Sequence, residues 1–163
     1  MKSRKRGLRA HTRLLLPLFG LIAAVWLLRI IFHAAGTPPW ITRLTSVSVA
    51  TATALLLAVL FIHFRRFGGY ASVVMSAFLL TVWEELLIVA AIVVSAQTGT
   101  INVYTVPEYS IPLKDPGHIK HIYGHLTYGI GFGTLAGAAM GSLLLWLLRK
   151  LDPQQVSETR SGS

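Results

Sequence analysis

Four runs of apolar residues, roughly 14–33, 41–64, 70–96 and 121–148, take up most of the 163-residue chain. A helix needs about 20 such residues to cross the hydrocarbon core of a bilayer. Lipid offers no water to backbone N–H and C=O groups, so each run must satisfy them within itself, as a helix does. The runs therefore predict an all-α fold, a four-transmembrane-helix bundle. Composition agrees: 53% of the residues are hydrophobic and 13% charged, where a soluble domain has about a quarter charged.

The formal charge of +9 does not point to nucleic acid, because the basic residues form no stripe. They sit at the ends of the apolar runs, where a multi-pass protein carries them. Four spans put both termini on one side. That side holds Lys2, Arg4, Lys5, Arg6, Arg9, Arg13, Arg65, Arg66, Arg149, Lys150 and Arg160, and the other side holds Arg43, Lys114 and Lys120. The excess predicts that the N-terminus and C-terminus are cytoplasmic. A basic head before an apolar run also resembles the start of a signal peptide, but the run is long for one, and a retained spanning helix is expected. The chain has no Cys, which removes disulfides and thiolate ligands.

The expected organisation is a basic cytoplasmic head (1–13), one membrane domain (14–150) and a disordered cytoplasmic tail (151–163). The external loop, 97–120, holds Pro107, Pro112 and Pro116. Its β-leaning segment 101–106 suggests a short strand pair, and the loop reads as a lid or a connector.

Ionisable residues within spans are the informative ones, because each costs at least ~2.5 kcal/mol at mid-membrane unless paired. At ~1.5 Å per residue, Glu84 and Glu85 fall near the centre of the third span. Arg29 falls further out on the first, and Thr51 is level with the glutamates. His33 lies one turn beyond Arg29 on the same face. These residues, with His121 and His125 above them, predict a polar pocket open to the outside, in which Arg29 pairs with Glu84 or Glu85. The alternative for a glutamate is to hold a proton. Adjacent residues point ~100° apart, so the two carboxyls cannot share one direction. No Arg follows the glutamates on their helix, which sets aside the prenyl-protease motif.

The last run, HIKHIYGHLTYGIGFGTLAGAAMGSLLLWLLRK, changes character along its length. His118, His121 and His125 share a helical face that continues as Gly129, Gly133, Gly137 and Gly141, drifting slowly. Glycines at four-residue spacing read as a close-packing seam, within the bundle or between protomers, or as a pore lining. Imidazoles at i and i+4 can share one metal ion, with His118, His121 and His125 as candidates. The pattern lacks the Glu of H-E-x-x-H, so metalloprotease chemistry is not supported. A carboxylate-bridged di-metal site needs Glu and His at one depth, and by end-counting the histidines stand about two turns too shallow. His33 and His125, by the same counting at equal depth, are a candidate pair of haem ligands.

Within that run, Ile122-Tyr123-Gly124-His125-Leu126-Thr127-Tyr128-Gly129 resembles a G-H-L-x-[YW] segment in the last span of small inner-membrane proteins of the YagU-like type. The resemblance covers one helix of four. It implies a small polytopic inner-membrane protein and singles out His125.

Three functional expectations follow. The first is a transport-type or complex-accessory protein, not an enzyme, built around Arg29, Glu84, Glu85 and the outer histidines. The second is a redox subunit carrying haem or a metal on His33, His121 and His125. The third is a structural subunit docking a larger membrane complex, or a second copy, through the glycine seam. The lipid bilayer is a partner in all three.

Overall fold

The computed structural model describes residues 7–106 and 118–151. Among them the protein is helical, with no strand. The order is α1 (Leu8–Ala34), α2 (Pro39–Leu44), α3 (Val47–Phe64), α4 (Tyr70–Thr98), α5 (Ile119–Gly124), a π-helical turn (His125–Gly129) and α6 (Ile130–Leu151). Four stretches are long and apolar enough to cross a membrane: Leu8–Ala34, Pro39–Phe64, Tyr70–Thr98 and Ile119–Leu151. The segments 1–6 and 152–163, with most of the predicted head and tail, lie outside the described residues, as does 107–117.

The element boundaries depart from expectation in two places. The first helix begins at Leu8, so Arg9 and Arg13 belong to it rather than to a separate head. The second span is broken near its outer end. The Thr45 hydroxyl bonds back to the Thr42 carbonyl at 3.1 Å, and Ser46 is extended, so the chain turns before α3 begins. Side-chain bonds of this kind offer the backbone an alternative to the helical ladder.

The helices pack as layers. α3 and α4 pair centrally, α1 lies against both, and α6 lies against both. The core is Leu15, Leu18 and Ile22 of α1, Ala54, Leu55, Ala58, Val59 and Ile62 of α3, and Val73, Ala77, Leu80, Ile88 and Ile92 of α4. The Trp83 indole N–H donates to the Phe19 carbonyl at 3.0 Å, tying α4 to α1. Phe132, Leu135, Leu143 and Trp146 of α6 are exposed, as side chains that meet lipid are.

The α4–α6 contact follows a register. Each glycine of the seam faces a residue of α4, and each step of four along α6 is matched by a step of four back along α4. Gly129 faces Glu85, Gly133 faces Thr81, Gly137 faces Ala77 and Leu55 of α3, and Gly141 faces Val73 and Val59. A Cβ added at Gly133 or Gly141 lands 2.7 Å from a side-chain carbon of Thr81 or Val73, too close for real atoms. The glycine face is therefore turned inward onto α4 and α3. Gly141 is buried in this contact, while Gly129, Gly133 and Gly137 are half-buried and border a cleft described below.

The register predicts a sharp contrast. Gly141→Leu forces side chains into Val73 and Val59, and overpacking of this kind costs ~1–3 kcal/mol. Gly131, with nothing near its would-be Cβ, accepts Ala without loss, since Gly is the poorer helix former by ~1 kcal/mol. Thermal unfolding in detergent micelles should show a lowered midpoint for the first variant and an unchanged or raised midpoint for the second.

Candidate functional site

The close approach of α6 to α4 brings the third-span glutamates against the fourth-span histidines. Glu84 and Glu85 are 7% and 8% exposed. As adjacent residues they point to different neighbours. Glu85 turns to the α6 side, where His125 Nδ1 lies 2.6 Å from its Oε2 and the absent Gly129 side chain leaves room for its carboxyl. Glu84 turns to the α3 side, beside Ser48 and Thr51. A carboxylate only accepts hydrogen bonds, so the Nδ1 atom of His125 is the donor. Charge-assisted bonds of this length are the strong ones.

From His125 the polar chain continues outward. Its Nε2 stands 3.2 Å from Nε2 of His121, with the two rings 4.9 Å apart. The His118 ring follows, 6.4 Å from that of His121. His118 has a left-handed backbone, φ +57°, a region that His enters more readily than most residues.

Depth by end-counting set these histidines apart from the glutamates, and the structure corrects it. Because Gly129 faces Glu85, His125 stands only one turn, ~5.4 Å, further out. The two side chains bridge that offset. The π-helical turn His125–Gly129 also matters. In an α-helix a four-residue series drifts ~40° per step. A wider turn holds one more residue and so takes back part of the drift between the histidine face and the glycine face. Nothing in the composition of His125-Leu126-Thr127-Tyr128-Gly129 signals such a turn.

A cleft of about 570 Å³ opens beside the glutamates, between α3 and α6 and floored by α4. Leu55, Ala77, Leu80, Ala136 and Gly137 give it an apolar wall, and Thr51, Thr81, Glu84 and Glu85 give it polar groups. Thr51 is buried, with its hydroxyl beside Glu84. The rim includes Tyr128, Phe132 and Met140, which are exposed on the flank of the bundle. The cleft opens sideways between spans and differs from the expected pocket: of the residues predicted for it, Glu84 and Glu85 line the cleft, whereas Arg29, His33, His121 and His125 do not.

The segment that follows α4 is one that the sequence reading misjudged. Residues 101–106 form a turn, not a strand. The Asn102 side chain donates to the Ala91 carbonyl at 2.7 Å and accepts from the Tyr104 backbone N–H at 2.9 Å. Ser95 bonds the Thr100 carbonyl and the Thr105 hydroxyl. The turn therefore folds back along α4 instead of leaving it, and Val103 and Tyr104 are buried. Arg29 meets this turn: its guanidinium carbon lies 5.2 Å from the centre of the Tyr104 ring. Tyr104 is also within electrostatic reach of Glu84. It is the residue that sequence reasoning missed. Asn102, an adept former of side-chain turns, was the available signal.

His33 sits near the outer end of α1, and its side chain makes no hydrogen bond or ring contact among the described residues. α1 packs on α3 and α4, not on the histidine segment. The structure therefore does not join His33 to His121 and His125, which corrects the expectation of a haem or redox site shared by the three. Among the described residues no group of three or more His, Cys, Asp or Glu side chains converges on a metal-binding arrangement. In comparisons with family models, curated proteins and solved structures, nothing matches this chain.

Two outcomes follow. A double-mutant cycle on Glu85→Gln and His125→Gln should return a coupling of ~1.5–3 kcal/mol, the range for hydrogen bonds to charged groups; additive losses would show the contact to be energetically idle. Burial pushes the Tyr104 phenol above its ordinary value of 10.0, and the Arg29 charge opposes this only in part. The unfolded chain then loses its phenol proton first, so stability present below pH 10 falls as pH rises beyond it. Tyr104→Phe should flatten that alkaline decline, measured as unfolding midpoint against pH.

Proposed function

We propose that this is a small multi-pass protein of the plasma membrane, transport-type or accessory to a larger membrane complex, that binds a solute in the cleft beside Glu84 and Glu85. The observation that carries the reading is a pair of carboxyls, each over nine-tenths buried, at the foot of an apolar-walled cleft. Ionisable groups at this depth are costly and mark ligand or ion pathways by default. The Thr51 hydroxyl on the same wall, beside Glu84, adds a polar group to the lining.

The chemistry of the lining sets the class of solute. Glu84 and Glu85 attract a cation or a hydrogen-bond donor. The wall of Leu55, Ala77, Leu80 and Ala136 attracts an apolar body. A rim on the flank of the bundle favours entry from the bilayer. The solute is thus an amphiphile with an amine or comparable donor at one end. Arg29, which with Glu84 acts electrostatically on Tyr104, offsets carboxylate charge from outside the cleft. The excess of Lys and Arg at the 65–69 end supports a cytoplasmic position for both termini.

The test uses the purified protein in lipid nanodiscs. A long-chain alkylammonium probe should raise the wild-type unfolding midpoint, while a matched alkyl carboxylate should not. Glu84→Gln combined with Glu85→Gln should lose the response to the ammonium probe. Equal responses from wild type and double variant, or no preference for ammonium over carboxylate, would overturn the reading.

A further inference from the structure

We infer that His121 and His125 form a site for one divalent transition-metal ion of the zinc class, with Glu85 orienting His125 from behind. The site lies at the outer end of the cleft and does not depend on the solute proposed above.

The argument begins with the two ring nitrogens. His121 Nε2 and His125 Nε2 share a hydrogen bond at 3.2 Å, which an ion bound to both nitrogens would replace. Two imidazole nitrogens bound to one tetrahedral ion, at metal–nitrogen distances of ~2.0–2.1 Å, stand ~3.3 Å apart. The spacing in the chain, i and i+4 across one helical turn, holds both rings on one face.

The second part of the argument is the proton on the far side of His125. Its Nδ1 is held at 2.6 Å from the Glu85 carboxylate, which fixes the N–H on Nδ1 and leaves Nε2 with its lone pair toward His121. Metal-bound histidines are oriented in this way, with the second ring nitrogen donating to a carboxylate. An isolated pair of interfacial histidines has no need of such an arrangement. The π-helical turn that begins at His125 is a third and separate feature, since such turns occur often at functional sites.

The His125 side chain is 25% exposed, so an ion can reach it. Two protein nitrogens are one fewer than an open catalytic zinc site supplies, so water completes the coordination here. His118, whose ring is 6.4 Å from that of His121, lies outside this coordination sphere.

The experiment titrates tag-free protein in detergent micelles with Zn²⁺ by calorimetry, and with Co²⁺ by visible absorption. Wild type should bind about one ion per chain, and the Co²⁺ form should show d–d bands shifted and strengthened relative to aqueous Co²⁺, as a tetrahedral site with two imidazole nitrogens gives. His121→Ala with His125→Ala should abolish both signals, and His118→Ala should preserve them. Glu85→Gln should weaken binding by ~10–100-fold, as loss of an orienting partner does. The Co²⁺ spectrum needs only wild type, so it stands even if a variant fails to fold. Absence of those bands, zinc uptake equal in wild type and the double histidine variant, or equal damage from His118→Ala and His125→Ala would each overturn the site. Undiminished binding by Glu85→Gln would overturn the role given to Glu85. Retained alkylammonium binding alongside failed metal binding, or the reverse, separates this inference from the proposed function.

Discussion

The molecule depends on how closely α6 can approach α4. Between helices in lipid there is little hydrophobic driving force, because acyl chains are as apolar as Leu, so contact must come from close packing. Four glycines on one face provide it, each admitting a residue of α4 into the space where a side chain would stand. The same approach decides the chemistry. At its outermost step the residue admitted is not Thr, Ala or Val but Glu85, and the carboxyl so placed meets His125. Packing and polar chemistry are one continuous series of contacts on a single pair of helices.

Much of this was legible in the residues. The four spans follow from run length and the cost of unpaired backbone in lipid, and neither depends on tertiary detail. The glycine spacing predicted a seam, and Glu84, Glu85, Thr51 and His125 were placed in one region by counting residues. What counting misses is register. It measures each helix from its own end, whereas packing aligns helices by the side chains between them. Hence His125 is bonded to Glu85 instead of standing clear of it, and His33 is separate although its count matched. The wide turn at His125–Gly129 and the fold-back of 101–106 were illegible for a related reason. Both are set by what the segment meets, namely Glu85 in one case and the Ala91 carbonyl in the other.

The polar groups on the outer side of the bundle share a common logic of distribution. Arg29 is set against an aromatic face, Glu85 against an imidazole and Glu84 against hydroxyls. These neighbours differ from group to group, although Glu84 and Glu85 remain close enough to feel one another's charge. The turn at 101–106 makes this workable by carrying Tyr104 inward, where a loop leaving the helix end directly would have left Arg29 without that ring.

The sideways rim of the cleft has a consequence for how any occupant is counted. A compound reaching Glu84 between Phe132 and Met140 comes from the two-dimensional phase around the protein, not from bulk solution. Its occupancy is then set by its mole fraction among the surrounding lipids. Diluting the aqueous phase at fixed lipid would leave that occupancy nearly untouched, whereas adding empty vesicles would drain it.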